Sequence, residues 1–140
     1  MPQKELQQKM MEYQMLEEKF KQMNQQRELF ESKMIELEQT NQAIEDIEKS
    51  KKEDDILIPL GSGLFLPGKI SKKEKMVIGI GADIVIEKDS DEVKKVLEER
   101  RKILENGMEN IQNNMLQIAR EMQRLQVETQ KMMPKQEQAG

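Results

Sequence analysis

Residues 56–70 read ILIPLGSGLFLPGKI, and residues 76–89 read MVIGIGADIVIEKD. Both runs are rich in aliphatic and β-branched residues and are punctuated by glycine, the pattern of short strands joined by tight turns. They also repeat one another at a spacing of 20 residues. Ile58 matches Ile78, Gly61 matches Gly81, and Leu60, Leu64 and Leu66 match Ile80, Ile84 and Ile86. Two similar β-hairpins in series are the simplest account. The runs predict four strands, over about 55–60, 64–70, 75–80 and 83–88.

Strand periodicity places Ile56, Ile58 and Leu60 on one face, as it does Leu64 with Leu66, Ile78 with Ile80, and Ile84 with Ile86. The opposite face carries Leu57, Phe65, Val77 and Val85, so neither face is polar. Small hairpins cannot bury two apolar faces alone, and an isolated hairpin is marginal in water. Their open edges invite pairing with another chain. The expectation is oligomerisation, with strands from several subunits closing a barrel. Ile56, Ile58, Leu60, Leu64, Phe65, Leu66, Ile78, Ile80, Ile84 and Ile86 are the expected oligomerisation residues.

The same stretch imitates a nucleotide site. Gly63, four residues, then Gly68 and Lys69 match most of a phosphate loop. A working loop needs a glycine-rich cradle, a helix opening at the lysine, and Ser or Thr next to hold magnesium. Here the intervening Leu64, Phe65, Leu66 and Pro67 read as a strand. Ile70 stands at the Ser/Thr position, and the charged turn SKKEK (71–75) follows instead of a helix. GIGADI (79–84) imitates a dinucleotide fingerprint, but Ile84 replaces its third glycine and no helix opens there.

Outward from the hairpins, both flanks read as long helices. No Gly occurs between residues 3 and 49, where Glu, Gln, Lys, Met and Leu dominate. Alternating steps of three and four give positions 6, 9, 13, 16, 20, 23, 27, 30, 34, 37, 41 and 44. Nine of these twelve are apolar, against 36% in the whole chain, so the stripe is a coiled-coil seam. The series from 94 through 97, 101 and 104 to 132 also holds nine apolar residues in twelve. Asp89 or Ser90 caps this second helix, with Asp91 and Glu92 in its first turn, where the helix dipole favours anions. Similar lengths predict an antiparallel pair in which Phe30 meets Ile111 and Leu16 meets Leu125.

The totals agree with that architecture and narrow the function. Aromatics make up 3% of the 140 residues and charged residues 36%, which suits solvated helices better than a large globular core. Without Cys there is no disulfide and no thiolate metal site, and without His the usual general base and metal ligand are missing. No enzyme, catalytic residue, metal or cofactor is therefore expected. Mixed charges with a net −4 show no basic stripe for a nucleic-acid backbone. No apolar run reaches the roughly 18 residues of a membrane span. MPQKELQQKM at the start lacks the apolar segment of a signal peptide, so a cytoplasmic protein without nucleic-acid or membrane partners is expected.

The resulting fold class is mainly α with a small β insert: a long antiparallel two-helix coiled coil with two β-hairpins at the bend. It is read as one domain, 1–140, with coiled-coil helices over 3–50 and 90–133, hairpins over 55–88 and a polar tail over 134–140. Seven of the 12 Met fall at one end of this arrangement, several of them off the seam. Met is flexible and polarizable, so such residues adapt to irregular apolar surfaces.

A coiled-coil hairpin with two successive β-hairpins, each with a glycine-bracketed turn, resembles the α-class subunit of prefoldin, a hexameric holdase chaperone. The resemblance covers residues 5–133, and the second hairpin at 76–88 decides the class, because the β class carries one. It implies an assembly of two α-class and four β-class subunits through a double β-barrel. It further implies ATP-independent holding of non-native client proteins at the coiled-coil ends and their transfer to a group II chaperonin. The client-binding residues would then be Leu6, Met10, Met11, Met15, Leu125, Val127, Met132 and Met133. A self-assembling filament or scaffold of the same fold is the alternative.

Overall fold

The computed structural model describes residues 2–51 and 53–133; the expected polar tail lies outside the described residues. Six elements follow in order: α1 (Pro2–Lys49), β1 (Asp55–Gly61), β2 (Leu64–Lys69), β3 (Lys75–Gly81), β4 (Ile84–Asp89) and α2 (Ser90–Met132). The chain forms two compact units. One contains the residues up to Lys33 and from Leu104 onward, the other Met34–Ile103. Their boundary cuts across both helices, not between helices and hairpins.

Burial along each helix follows the heptad read from the sequence. All twelve seam positions of α1 are buried or half-buried, as are eleven of twelve on α2. The exception, Lys94, is exposed and pairs with Glu48 at 2.8 Å. In the first unit the two helices run antiparallel, Lys9 pairing with Glu128 across them. Leu125 is the most enclosed side chain there, 1% exposed, with Ile111 and Ile118 buried on the same stripe. The Phe30 ring reaches Gly107, one turn from its expected partner Ile111. There an added Cβ would stand 3.4 Å from the ring carbons. A helix-interior glycine costs about 1 kcal/mol relative to alanine, and here it leaves room for an aromatic ring.

In the second unit, Leu37, Ile44, Ile70, Ile78, Val93 and Leu97 are buried. Lys73 donates to the carbonyls of Glu48 (3.2 Å) and Ser50 (3.0 Å), supplying cationic donors at the C-terminal end of α1. Glu53, at φ 72°, turns the chain so that its amide donates to the Ile70 carbonyl, and the Ile70 amide donates to Asp54. The Ser90 amide donates to Glu74, and the Arg100 guanidinium donates to the Gly79 carbonyl at 3.1 Å. These bonds hold the second hairpin to the start of α2.

The hairpins form two separate two-stranded antiparallel sheets with the same design. Ile58 pairs with Leu66 and Ile78 with Ile86, and each register shifts where β1 or β3 reaches its closing glycine, between 59 and 61 or 79 and 81. That irregularity carries β1 and β3 one residue past the predicted end. Ser62–Gly63 and Ala82–Asp83 form the two-residue turns, all four at positive φ. Type I′ hairpins require this, because their twist matches that of the strands. Asp83, predicted in β4, therefore belongs to the turn, and Ile70, predicted in β2, lies just beyond it.

Each hairpin is closed at its base by an ion pair between directly opposed residues. Asp55 faces Lys69 at 4.0 Å, and Lys75 faces Asp89 at 2.8 Å, with the signs exchanged between the hairpins. The Asp89 carboxylate, expected along with Ser90 as a cap of α2, accepts from Lys75 and holds the lysine pKa above its ordinary value.

Candidate functional site

The strand residues form the first candidate surface. Leu60, Leu64, Phe65, Leu66, Ile80 and Ile84 are more than half exposed, and Ile58 is 40% exposed. Ile56 and Ile86 are half-buried. Leu57, Val77 and Val85, on the opposite face, are exposed too, so both faces of both sheets present aliphatic area. Ile78 departs from the expectation: at 8% exposed it belongs to the core of its own unit. Every strand is also an edge strand of its two-stranded sheet, with backbone donors and acceptors on its outer side.

The phosphate-loop resemblance ends in this surface. Gly63 is a turn residue, Leu64–Lys69 is β2, and Lys69 faces Asp55. Ile70, at the magnesium-ligand position, is buried. GIGADI is the end of β3, its turn and the first residue of β4. Neither segment opens a helix toward a nucleotide.

The second candidate surface lies at the chain-end portions of α1 and α2, within the first unit. Met11 and Met15 are 63% and 71% exposed, and Met10 and Val127 are also exposed. Leu6, Met132 and Met133 are half-buried. Leu125, proposed with them from sequence, is sealed in the seam and presents no surface. Met10, Tyr13, Gln14, Glu17, Gln126, Thr129 and Met133 line an open groove of about 320 Å³. Its walls mix flexible, polarizable thioethers with amide, hydroxyl and carboxylate groups. Tyr13 and Thr129 occupy seam positions, which is why periodicity alone assigned them to packing and not to the groove. Met11, Met15 and Val127 do not line it.

Charges fix the helices beside the groove. Glu128 accepts from Lys9 and from Arg124, the latter at 2.7 Å, and Arg124 also donates to Glu121. The hydrogen bond from Lys9 and the nearby guanidinium hold the Glu128 carboxyl below the usual range, and the Arg124 hydrogen bond does the same for Glu121. Among the described residues no group of His, Cys, Asp or Glu side chains is arranged to hold a metal, and no helix is long and apolar enough to cross a membrane.

The comparisons agree with this geometry. The family of prefoldin subunits matches residues 16–135. Prefoldin subunit alpha of Nitrosopumilus maritimus is 34% identical over 98 residues, 70% of this chain and 67% of that protein. The Pyrococcus horikoshii subunit alpha is 31% identical over 96 residues, 68% and 65% of the two chains. The match to the Methanococcus maripaludis subunit alpha is 43% identical but spans only 36% of this chain and 35% of that protein. The chain thus spans about a third of the length of the Methanococcus relatives it matches. In fold it resembles a filamentous prefoldin from Methanocaldococcus jannaschii, with a TM-score of 0.74 at 17% identity over 83% of this chain and 96% of that one. With its two long seamed helices and its paired hairpins, the chain belongs to the prefoldin subunit family, in the α class.

Proposed function

We propose that the chain is one subunit of a cytoplasmic, ATP-independent holdase. It assembles with β-class prefoldin subunits in an α2β4 hexamer through its hairpins, holds non-native proteins with its exposed methionines, and passes them to a group II chaperonin. The observation that carries this reading is the contrast between seam and surface. Apart from Lys94 the seam residues are buried or half-buried, while Met10, Met11 and Met15 stand outside the seam and the strand faces stay open.

The magnitudes suit a transfer role. Burying one Met side chain contributes about 1.5–3 kcal/mol at best. Ordering the helices' ends and the client offsets much of that. A single subunit therefore holds weakly, and several in one assembly hold well through effective concentration while still releasing. Leu6, Met132 and Met133 extend the methionine surface.

The test is aggregation suppression by the chain co-purified with β-class subunits, without nucleotide. Replacing Met10, Met11, Met15, Met132 and Met133 by Ser is expected to abolish most of the suppression while leaving the complex intact. Unchanged suppression defeats the methionine mechanism. The fold's likeness to a filamentous prefoldin supports a second reading, a filament or scaffold subunit built through the same strands. Native mass measurement separates the two: an open-ended ladder from the chain alone supports the filament, and a discrete complex formed only with β-class subunits supports the hexamer.

A further inference from the structure

We propose that Met10, Met11 and Met15 form a site of reversible oxidation, where a hydroperoxide converts the thioethers to sulfoxides and thereby switches off client holding; the switching rests on the holding role proposed above. The chain has 12 Met and no Cys, so thioethers are its readily oxidised sulfur. Exposure divides them. Met10, Met11 and Met15 are the exposed methionines among the described residues. Met23, Met34, Met108, Met115, Met122 and Met132 are half-buried at seam positions, and Met76 and Met133 are half-buried elsewhere. Met11 and Met15 are four residues apart in α1, so they are neighbours on one helical face, about 5–6 Å apart at Cβ. Met10 lies about 100° around the helix from Met11 and lines the groove.

The chemistry needs only access. A sulfur lone pair attacks the terminal oxygen of the hydroperoxide; the S–O bond forms as the O–O bond breaks. The departing oxygen takes the proton and leaves as water or an alcohol. Sulfur gives up two electrons and the peroxide gains them. A sulfoxide reductase reverses the step with a dithiol, which becomes a disulfide while the oxygen leaves as water. Oxidation turns a flexible apolar side chain into a polar one that accepts hydrogen bonds. An apolar client surface laid over it would leave that oxygen without a donor, so the client is released. The fold is spared, because the three side chains stand outside the seam. Oxidising the seam methionines would instead put polar oxygens into the packing between the helices. Selectivity and function therefore coincide: the methionines exposed enough to hold a client are the ones an oxidant reaches first.

The test uses the full chain co-purified with β-class subunits and treated with limiting hydrogen peroxide. Peptide mass mapping, made without client, reads the order of oxidation. Met10, Met11 and Met15 are expected to gain oxygen at least about fivefold faster than the seam methionines, with the far-UV circular dichroism of the complex unchanged. Aggregation suppression is then compared before and after treatment. It is expected to fall several-fold, and to return when reductases for both sulfoxide epimers act with a dithiol. The same before-and-after ratio is measured with Met10→Leu, Met11→Leu and Met15→Leu combined, which keeps apolar side chains and removes the sulfur. That ratio is expected to stay near one. Seam methionines oxidising as fast as the exposed three, or the leucine variant losing suppression as steeply as the unaltered chain, overturns the proposal. Failure of the holding role shows differently: there the untreated serine variant suppresses aggregation as well as the unaltered chain, whatever order the mapping gives.

Discussion

Ile58 and Ile78 occupy the same position in the two hairpins, opposite Leu66 and Ile86, yet one is 40% exposed and the other 8%. Truncating each to alanine therefore separates intrachain packing from assembly. Removing three carbons at about 0.8 kcal/mol per buried group forfeits roughly 2.4 kcal/mol at full burial. Scaled by exposure, a lone chain loses about 2.2 kcal/mol at Ile78 and about 1.4 kcal/mol at Ile58. The unfilled cavity raises the Ile78 cost to about 3 kcal/mol. The remaining 1 kcal/mol or so of Ile58 is realised only when a neighbour covers it, equivalent to about fivefold weaker association for each hairpin contact. Denaturant unfolding by circular dichroism at several protein concentrations, with sedimentation for association, resolves the two terms. Ile78→Ala is expected to lower stability equally at every concentration. Ile58→Ala is expected to cost less at high dilution and to weaken association. If Ile58→Ala destabilises the dilute chain as much as Ile78→Ala, the assignment of one to the core and the other to an interface is refuted.

Other perturbations test other parts of the molecule. Leu125→Ala should cost about 2–5 kcal/mol of unfolding free energy, whereas Met15→Ala should leave stability nearly unchanged and weaken client holding. Ala82, held at φ 51° in a turn that favours Asn or Gly, should yield about 0.5 kcal/mol of stabilisation on Ala82→Asn, and Ala82→Val should destabilise by more than that; thermal melts decide. Gly107→Ala should stabilise by less than 1 kcal/mol, the helix-propensity gain outweighing a small shift of the half-buried Phe30 ring, while Gly107→Leu should destabilise. The pKa values of Glu121 and Glu128 are lowered in the folded chain, so their contribution is fully present above the ordinary glutamate value and is lost as pH falls through the depressed one. Glu121→Gln with Glu128→Gln should therefore flatten the loss of melting temperature between neutral and acidic pH.

The helices and hairpins were legible because each obeys a single period. The three-and-four stripe from Leu6 to Ile44 and the alternation of Ile56, Ile58 and Leu60 point to one local geometry apiece, and local consistency is what sequence reports well. What stayed hidden depends on three dimensions. Ile78 and Ile58 are equivalent in the repeat, so nothing local says that one is covered. Leu125 lies near the exposed methionines in sequence, but its heptad position belongs to the seam, where it is 1% exposed. The setting of Gly107 depends on Phe30 of the other helix, which no local pattern around residue 107 contains. The groove around Tyr13 and Thr129 mixes seam and flank positions, a combination that no one-dimensional period marks.

The exchanged signs at the feet of the two hairpins make them non-interchangeable. By shape alone, a neighbouring edge could mistake one for the other, since strand lengths, turn and register agree. Electrically they are opposites: the first begins with an anion and ends with a cation, the second the reverse. A charged strand end that meets the outer edge of β1 in one hairpin and of β3 in the other finds opposite signs, so at corresponding edges a repeated motif gains a left and a right hand.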